Sequence, residues 1–274
     1  MADVTFETVA QQSTYQRTMN NALSSAFDAY HRYRAAKAKS KLYRTGRYVF
    51  FALVAAYVLL LCFPQVLFAH QVAYKNFTVY SRAPLDQNVY AMLDKVEARL
   101  ATSPINNPQV KPKIFLTNSQ RLYSALNLYV GANSFARALP VLPTNNIFVN
   151  EADVAKDQVY RHAPAFNSRS LSEVLAHEVT HLLIRDKFGY VKNITMPAWK
   201  KEGYAEYVSG GTTLDYATGA SLWKANPKND RGYQYFKYYM LVKHLLDTEK
   251  LKVEELFNRD FDRSALEAKV LSDL

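Results

Sequence analysis

The chain has 274 residues, of which 49% are hydrophobic, and carries a formal net charge of +10. This length allows one or two domains and a sizeable core. The single cysteine, Cys62, excludes an intramolecular disulfide and a thiolate zinc site. Positive charge alone would suggest a nucleic-acid partner, but the basic residues are densest beside an apolar run, and we therefore expect none.

Residues 1–45 are polar and contain an apolar series at helical spacing. Two interpretations remain open for this segment. It is either a solvated helix with one weak apolar stripe, or a helix that binds a cytoplasmic partner or lies on the bilayer surface. The apolar series consists of Tyr15, Met19, Leu23, Phe27 and Tyr30.

A run of 22 uncharged residues, 48–69, follows a strongly basic segment. As a helix it would extend about 33 Å, enough to cross a bilayer core, and we assign residues 46–70 to a single transmembrane helix. A cleaved signal peptide is disfavoured because the run starts deep in the chain and the bulky Leu67 occupies a position where cleavage needs a small residue. The basic residues are Arg32, Arg34, Lys37, Lys39, Lys41, Arg44 and Arg47.

The basic flank predicts the orientation of the chain. We expect a single-pass membrane protein with a cytoplasmic N-terminus and residues 71–274 on the far side. In a bacterium, this is the inner membrane with a periplasmic domain; otherwise the domain is extracellular or lumenal.

The outer segment begins with a pattern typical of a small sheet. Residues 77–80 and 113–117 read as strands, and residues 139–142 and 146–149 read as a pair of short strands. Apolar residues at helical spacing predict helices over 89–100 and 119–129. Because the strands precede the helices that follow Ser170, we predict an α+β fold: a small mixed sheet followed by a helical half, after a single transmembrane helix.

The helix that follows Ser170 carries His177, Glu178 and His181. Ser170 and Glu173 have capping-box spacing, and Gly189 is a plausible end of the helix. Residues four apart share a helix face, so the two imidazoles can bind one ion, and Glu178 can reach a water on that ion.

A second helix is predicted from about Pro197 to Val208, and it carries Glu202. The intervening residues 182–201 are enough to return a carboxylate to the histidines. Two imidazoles and one carboxylate make a three-ligand zinc site with a fourth position for water. The alternative is two core histidines and two solvated glutamates on ordinary helices.

The pentapeptide from His177 to His181, together with Trp199-x-x-Glu202-Gly203-x-Ala205-x-Tyr207, resembles the gluzincin metallopeptidases, the clan of thermolysin and the zinc aminopeptidases. The match covers residues 170–207. The resemblance implies one Zn²⁺ ion bound by His177, His181 and Glu202, with Glu178 as general base. In such families a polar group near Glu206 can support a ligand.

The resemblance implies two further features. A tyrosine or histidine after the third ligand donates a hydrogen bond to the oxyanion; Tyr235 is the first candidate, and Tyr233, Tyr238 and His244 remain open. A sheet edge upstream of the zinc helix borders the cleft, a role that residues 147–149 would fill, unless they form a merely structural edge. The chain lacks the Gly-x-Met-x-Asn segment of zinc aminopeptidases, so we expect an endopeptidase.

The sequence therefore predicts a membrane-anchored zinc peptidase that acts on peptide or protein substrates. Two alternatives stay open. One is a zinc-binding but non-catalytic scaffold or sensor, and the other is a membrane-anchored interaction protein without a metal.

Overall fold

The computed structural model describes residues 3–128, 133–139, 142–163, 165–225 and 233–274, with side chains from residue 19 onward. The chain divides into two compact units, residues 1–60 and 61–274. The second unit contains strands and helices together, which confirms the α+β prediction. It also includes residues 61–70, which the sequence pattern had assigned to the transmembrane segment.

The first unit consists of α1 (Asp3–Lys39) and most of α2 (Lys41–Cys62). The described members of the apolar series on α1, Met19 to Tyr30, are exposed, whereas the side chain of Tyr15 lies outside the described residues. Within the described part of the chain, α2 is the one helix long and apolar enough to cross a membrane.

The apolar helix ends earlier than predicted, at Cys62 rather than near residue 69. Phe63 leaves the helical conformation, with φ −127° and ψ 56°, and a short 3₁₀ helix then runs over Pro64–Leu67. A proline lacks an N–H and disfavours helical backbone at the residue before it, which accounts for the break.

A five-stranded mixed sheet in the order β1-β2-β3-β5-β4 lies in the second unit. The β2–β3 and β3–β5 pairs are parallel, and the two outer pairs are antiparallel. The predicted strands near residues 77, 113 and 146 are all present. The strands are β1 (His70–Tyr74), β2 (Phe77–Ser81), β3 (Lys113–Leu116), β4 (Ala136–Ala138) and β5 (Asn146–Val149).

One strand prediction was wrong. The partner of β5 is β4, not residues 139–142, of which 140 and 141 lie outside the described residues. A strand over 139–142 would have placed Pro140, which has no N–H, in the hydrogen-bonded ladder. Consequently β5 is an inner strand, and the edge of the sheet, which was expected at residues 147–149, is formed by β4.

A second, three-stranded antiparallel sheet connects the first sheet to the helical half. It was not predicted, because its strands are short and mostly polar. Its last strand leads directly into the helix that carries the two histidines. The strands are β6 (Glu151–Asp153), β7 (Gln158–Tyr160) and β8 (Ser168–Ser170).

The helical half contains α5 and α7, which the sequence had predicted. Ser170 caps α5 by accepting a hydrogen bond from the Glu173 N–H, and Gly189, at φ +80°, ends it. Helix α7 follows Pro197 and ends at Gly210 in the left-handed conformation. The helices described are α3 (Asn88–Leu100), α4 (Gln120–Leu126), α5 (Leu171–Phe188), α6 (Tyr190–Thr195), α7 (Ala198–Ser209), α8 (Tyr216–Ala225), α9 (Gln234–Lys243), α10 (Val253–Asn258) and α11 (Arg263–Ser272).

Helix α7 packs against α5 on one side and α9 on the other. Gly203 permits the close approach to α9, because a Cβ at this position would lie 2.3 Å from the carbonyl oxygen of Tyr238. The glutamate-bearing and histidine-bearing helices are thereby held together in one core.

Candidate metal centre

Helix α5 brings the two histidines together on one face. The Nε2 atoms of His177 and His181 lie 3.2 Å apart. Both side chains are largely buried, at 9% and 12% exposure. The four-residue spacing therefore gives the predicted pair of converging imidazoles.

Helix α7 adds the carboxylate of Glu202. Its Oε2 atom lies 3.3 Å from Nε2 of His177 and 3.4 Å from Nε2 of His181. Of the residues described, these three form the one group of three or more candidate ligands whose donor atoms converge, all within 4.8 Å of one another.

The spacing of these donor atoms fits a tetrahedral ion. Two ligand atoms about 2.05 Å from a tetrahedral metal lie about 3.3 Å apart. The observed separations of 3.2, 3.3 and 3.4 Å agree with this value. Two imidazoles and a carboxylate suit Zn²⁺ and also other divalent transition metals, so the three residues could hold a metal ion and their chemistry does not specify zinc.

The electrostatics of the site favour a cation. Burial by itself would lower the pKa of His177, but the charge of Glu206 and the close contacts with the carboxylates of Glu202 and Glu206 outweigh it and raise the pKa to about 10. Burial opposes ionisation of Glu202, yet the neighbouring His181 and His177 hold the pKa of its carboxyl far below the usual range. The same negative potential that retains a proton on His177 would attract a divalent cation.

Behind His177 lies the buried carboxylate of Glu206. Its Oε1 atom is 3.3 Å from Nδ1 of His177, a close electrostatic contact whose angle falls outside hydrogen-bond geometry. Glu206 is 3% exposed, and its pKa is lowered, because the charges of His177 and Arg169 outweigh the effect of burial. The suggested supporting role of residue 206 thus has a specific partner, the first histidine.

Arg169, from β8, fixes the position of Glu206. It donates to both carboxylate oxygens, from Nη1 to Oε1 at 3.1 Å and from Nη2 to Oε2 at 2.7 Å. Its Nη2 also donates to Oγ of Ser209 and to the carbonyl of Gly211. Sequence reasoning missed Arg169, because an arginine in a short polar strand carries no signal that it points inward.

Glu178 lies beside the three candidate ligands without joining them. Its Oε2 atom accepts a hydrogen bond from the N–H of Ala138 at 2.6 Å, and its side chain is largely buried. Ala138 belongs to the edge strand β4, so this strand is hydrogen-bonded directly to Glu178, the predicted base.

Tyr235 is the candidate aromatic residue that the structure places in the site. Its ring centroid lies 6.4 Å from that of His177. The negative charge of Glu202 is the main cause that raises the pKa of Tyr235, so the phenol keeps its proton and can donate a hydrogen bond.

The three rivals of Tyr235 do not line the cavity that contains the candidate ligands. Tyr233 is buried at the start of α9, and the hydroxyl of Tyr238 accepts a hydrogen bond from the Gln234 amide. His244 is buried, and its Nε2 atom lies 3.3 Å from Glu249.

The cavity at the site has a volume of about 320 Å³ and opens between β4 and the helices. The lining includes the basic residues Arg137 and Lys201, and the Nζ of Lys201 donates to the carbonyl of Asn193. It is lined by Ser134, Ala136, Arg137, Ala138, His177, Glu178, His181, Asn193, Lys201, Glu202 and Tyr235.

No protein-family model matches this chain, and no curated protein matches it significantly. The similarity to gluzincins therefore rests on the residues of the site and their spacing.

Proposed function

We propose that this chain is a metal-dependent peptidase of the gluzincin type, with zinc as the bound ion. The observation that carries the proposal is the position of Glu178. Three other side chains supply donor atoms at tetrahedral spacing, and this carboxylate lies in the same cavity without being one of them. A purely structural metal site needs no such additional carboxylate.

The ion would be bound by His177, His181 and Glu202, with Glu206 orienting His177 from behind. When bound, it supplies a Lewis acid that polarises a carbonyl and lowers the pKa of a water to about 7. The gluzincin fold is part of this proposal. It is supported by the mixed sheet, whose edge strand β4 precedes the two ligand-bearing helices.

Glu178 takes the role of general base and then general acid. Its carboxylate accepts a proton from the attacking water and returns it to the leaving nitrogen when the carbon–nitrogen bond breaks. The hydrogen bond from the Ala138 N–H holds one carboxylate oxygen toward β4, which leaves the other oxygen to exchange the proton.

Tyr235 stabilises the negative charge that develops on the scissile carbonyl oxygen. Its hydroxyl donates a hydrogen bond that forms fully only when this charge appears. A donor of this kind contributes about 3 kcal/mol to transition-state stabilisation.

The proposal places the site outside the cytoplasmic membrane. The apolar helix α2 and the basic residues that precede its apolar part support a single membrane crossing with a cytoplasmic N-terminus. Residues 1–45 would then be available to a cytoplasmic partner.

A peptide-library digest with the full chain in detergent tests the proposed activity. The wild type should cleave peptides and the Glu178→Gln variant should bind the same amount of metal without turnover. Equal hydrolysis by both proteins would refute the role of Glu178. Full metal content without cleavage by the wild type would favour the non-catalytic scaffold or sensor instead, and absence of metal would favour an interaction protein.

A further inference from the structure

A second cavity adjoins the metal site and shares Tyr235 with it. Its volume is about 220 Å³. A third cavity, of about 240 Å³, is lined by both His177 and Arg161 and connects the two regions along β4. The principal lining residues of the second cavity are Arg161, Phe166, Thr212, Thr213, Gln234 and Tyr235.

The guanidinium of Arg161 is held in place from one side. Its Nε donates to the carbonyl of Phe166 at 3.1 Å, and its central carbon lies 4.5 Å from the ring centroid of Phe135. The main-chain N–H of Arg161 donates to the carbonyl of Asn167, which closes the β7–β8 connection. The side chain is therefore anchored through Nε and its flat face, and within the described ranges no hydrogen-bond acceptor is assigned to its Nη groups.

No carboxylate of the described residues lies within ion-pair distance of Arg161, in contrast to Arg169, which pairs with both Glu206 and Glu173. Burial lowers the pKa of Arg161, so its charge is already partly removed from water. An anionic group of a ligand would bind favourably to such a partly desolvated cation, because charge-assisted hydrogen bonds are stronger where water is excluded.

The rest of the cavity is suited to such an anion. Besides Arg161, the lining includes two threonines and the aromatic rings of Phe166, Tyr235 and Phe236, and none of the described lining residues is acidic. An arginine fork matches the two oxygens of a carboxylate, which gives directional recognition as well as charge.

We propose that the Arg161 cavity binds a carboxylate of the peptide substrate, close to the bond that is cleaved. This inference rests on the proposed peptidase function and deepens it by assigning a substrate class. An extended peptide lying along β4 would pass from Glu178 toward Arg161, since Ala138 contacts the former and Phe135 the latter. The carboxylate is either the side chain of an aspartate or glutamate, or the C-terminus of a short peptide.

A binding assay separates these two sources without requiring turnover. Fluorescence anisotropy is measured with the metal-loaded Glu178→Gln full chain in detergent. One labelled peptide pair carries glutamate or glutamine at an internal position, and a second pair carries a free or an amidated C-terminus. We expect the carboxylate form of one pair to bind roughly tenfold or more tightly than its neutral match.

A second substitution locates the effect. In the same background, Arg161→Gln should reduce the preference to about twofold or less, and Arg161→Lys should retain part of it. Arg82→Gln, at an exposed residue that lines none of these three cavities, should leave the preference unchanged. Tryptophan fluorescence and metal content establish that each variant is folded.

Equal binding of charged and neutral peptides would overturn the inference, as would a preference that survives Arg161→Gln. Its failure is distinguishable from failure of the proposed function. Cleavage by the wild type without a carboxylate preference in binding would overturn this inference alone. A preference in binding without cleavage by the wild type would overturn the peptidase activity and leave the carboxylate site in place.

Discussion

Replacing Glu206 with glutamine removes one negative charge from behind His177 while preserving the volume of the side chain. The carboxylate is 3% exposed and bonds both terminal nitrogens of Arg169. Loss of its charge leaves the Arg169 guanidinium buried opposite a neutral amide. Breaking a buried pair in this way costs about 3–5 kcal/mol, a large part of the roughly 5–15 kcal/mol that stabilises a typical domain.

The same substitution should weaken metal binding. The carboxylate contacts Nδ1 of His177 at 3.3 Å and so orients the ring whose Nε2 lies 3.3 Å from the Glu202 carboxylate, where the proposed ion would bind. Loss of a group in this position typically reduces metal affinity by about 10–100-fold. We therefore expect Glu206→Gln to affect both stability and metal affinity.

Two assays separate these effects. Urea unfolding of the metal-free full chain gives the free energy of unfolding, and both tryptophans, Trp199 and Trp223, report on the unit of residues 61–274. Competition with a chromophoric chelator gives the zinc affinity of the folded protein.

Glu173→Gln is the matched control. Glu173 also pairs with Arg169, at 3.5 Å, and with Arg99, at 3.1 Å, but it is 27% exposed and does not contact either histidine. We expect this variant to lose about 1 kcal/mol or less and to retain wild-type zinc affinity. Wild-type affinity in Glu206→Gln, or an equal loss in Glu173→Gln, would refute the positioning role of Glu206.

Three further predictions concern the same core. Because the pKa of His177 is about 10 without metal, the residue is protonated at pH 8. Zinc binding at pH 8 should therefore release about one proton, and zinc affinity should increase as pH rises. Calorimetry in buffers of different ionisation enthalpy measures the number of protons released, and a value of zero would contradict this prediction. Tyr235→Phe should lower kcat by roughly 10²–10³ with unchanged metal content, while Tyr238→Phe keeps activity; equal rates for Tyr235→Phe and the wild type would exclude it as the donor. Gly203→Ala should lower the free energy of unfolding by about 1–3 kcal/mol, because the new Cβ would lie 2.3 Å from the Tyr238 carbonyl oxygen and 2.7 Å from Val242 Cγ2. An unchanged free energy of unfolding in urea would contradict this, since it would mean that α7 and α9 move apart without loss of stability.

The helical part of the site was predictable because its signals are local. The four-residue spacing of His177 and His181 determines that they share a face, whatever else the chain does. The Ser170 cap and the Gly189 and Gly210 ends mark the two helices within a residue or two. Each of these features is determined by residues within a few positions in the sequence, so a local sequence pattern is enough to predict it.

The sheet edge was not predictable in the same way. Residues 139–142 are more hydrophobic than Ala136–Ala138, yet the latter pair with β5. The choice depends on register and on the tertiary hydrogen bond between Ala138 and Glu178, which no short-range pattern encodes. The two small alanines carry little strand propensity of their own.

The arginines show the same limit. Arg169 and Arg161 flank one short hairpin segment, and both look like ordinary surface cations in the sequence. The structure directs Arg169 inward to Glu206 and places Arg161 in a cavity beside Tyr235. Burial and the location of a counter-charge distinguish the two, and both are properties of the folded chain.

Anomalous diffraction at the zinc absorption edge, from crystals of the zinc-loaded protein, would show directly whether the three candidate ligands bind the ion. We expect one strong peak about 2.0–2.2 Å from Nε2 of His177, Nε2 of His181 and a carboxylate oxygen of Glu202. Absence of a peak there, or a peak bound by other side chains, would contradict this expectation.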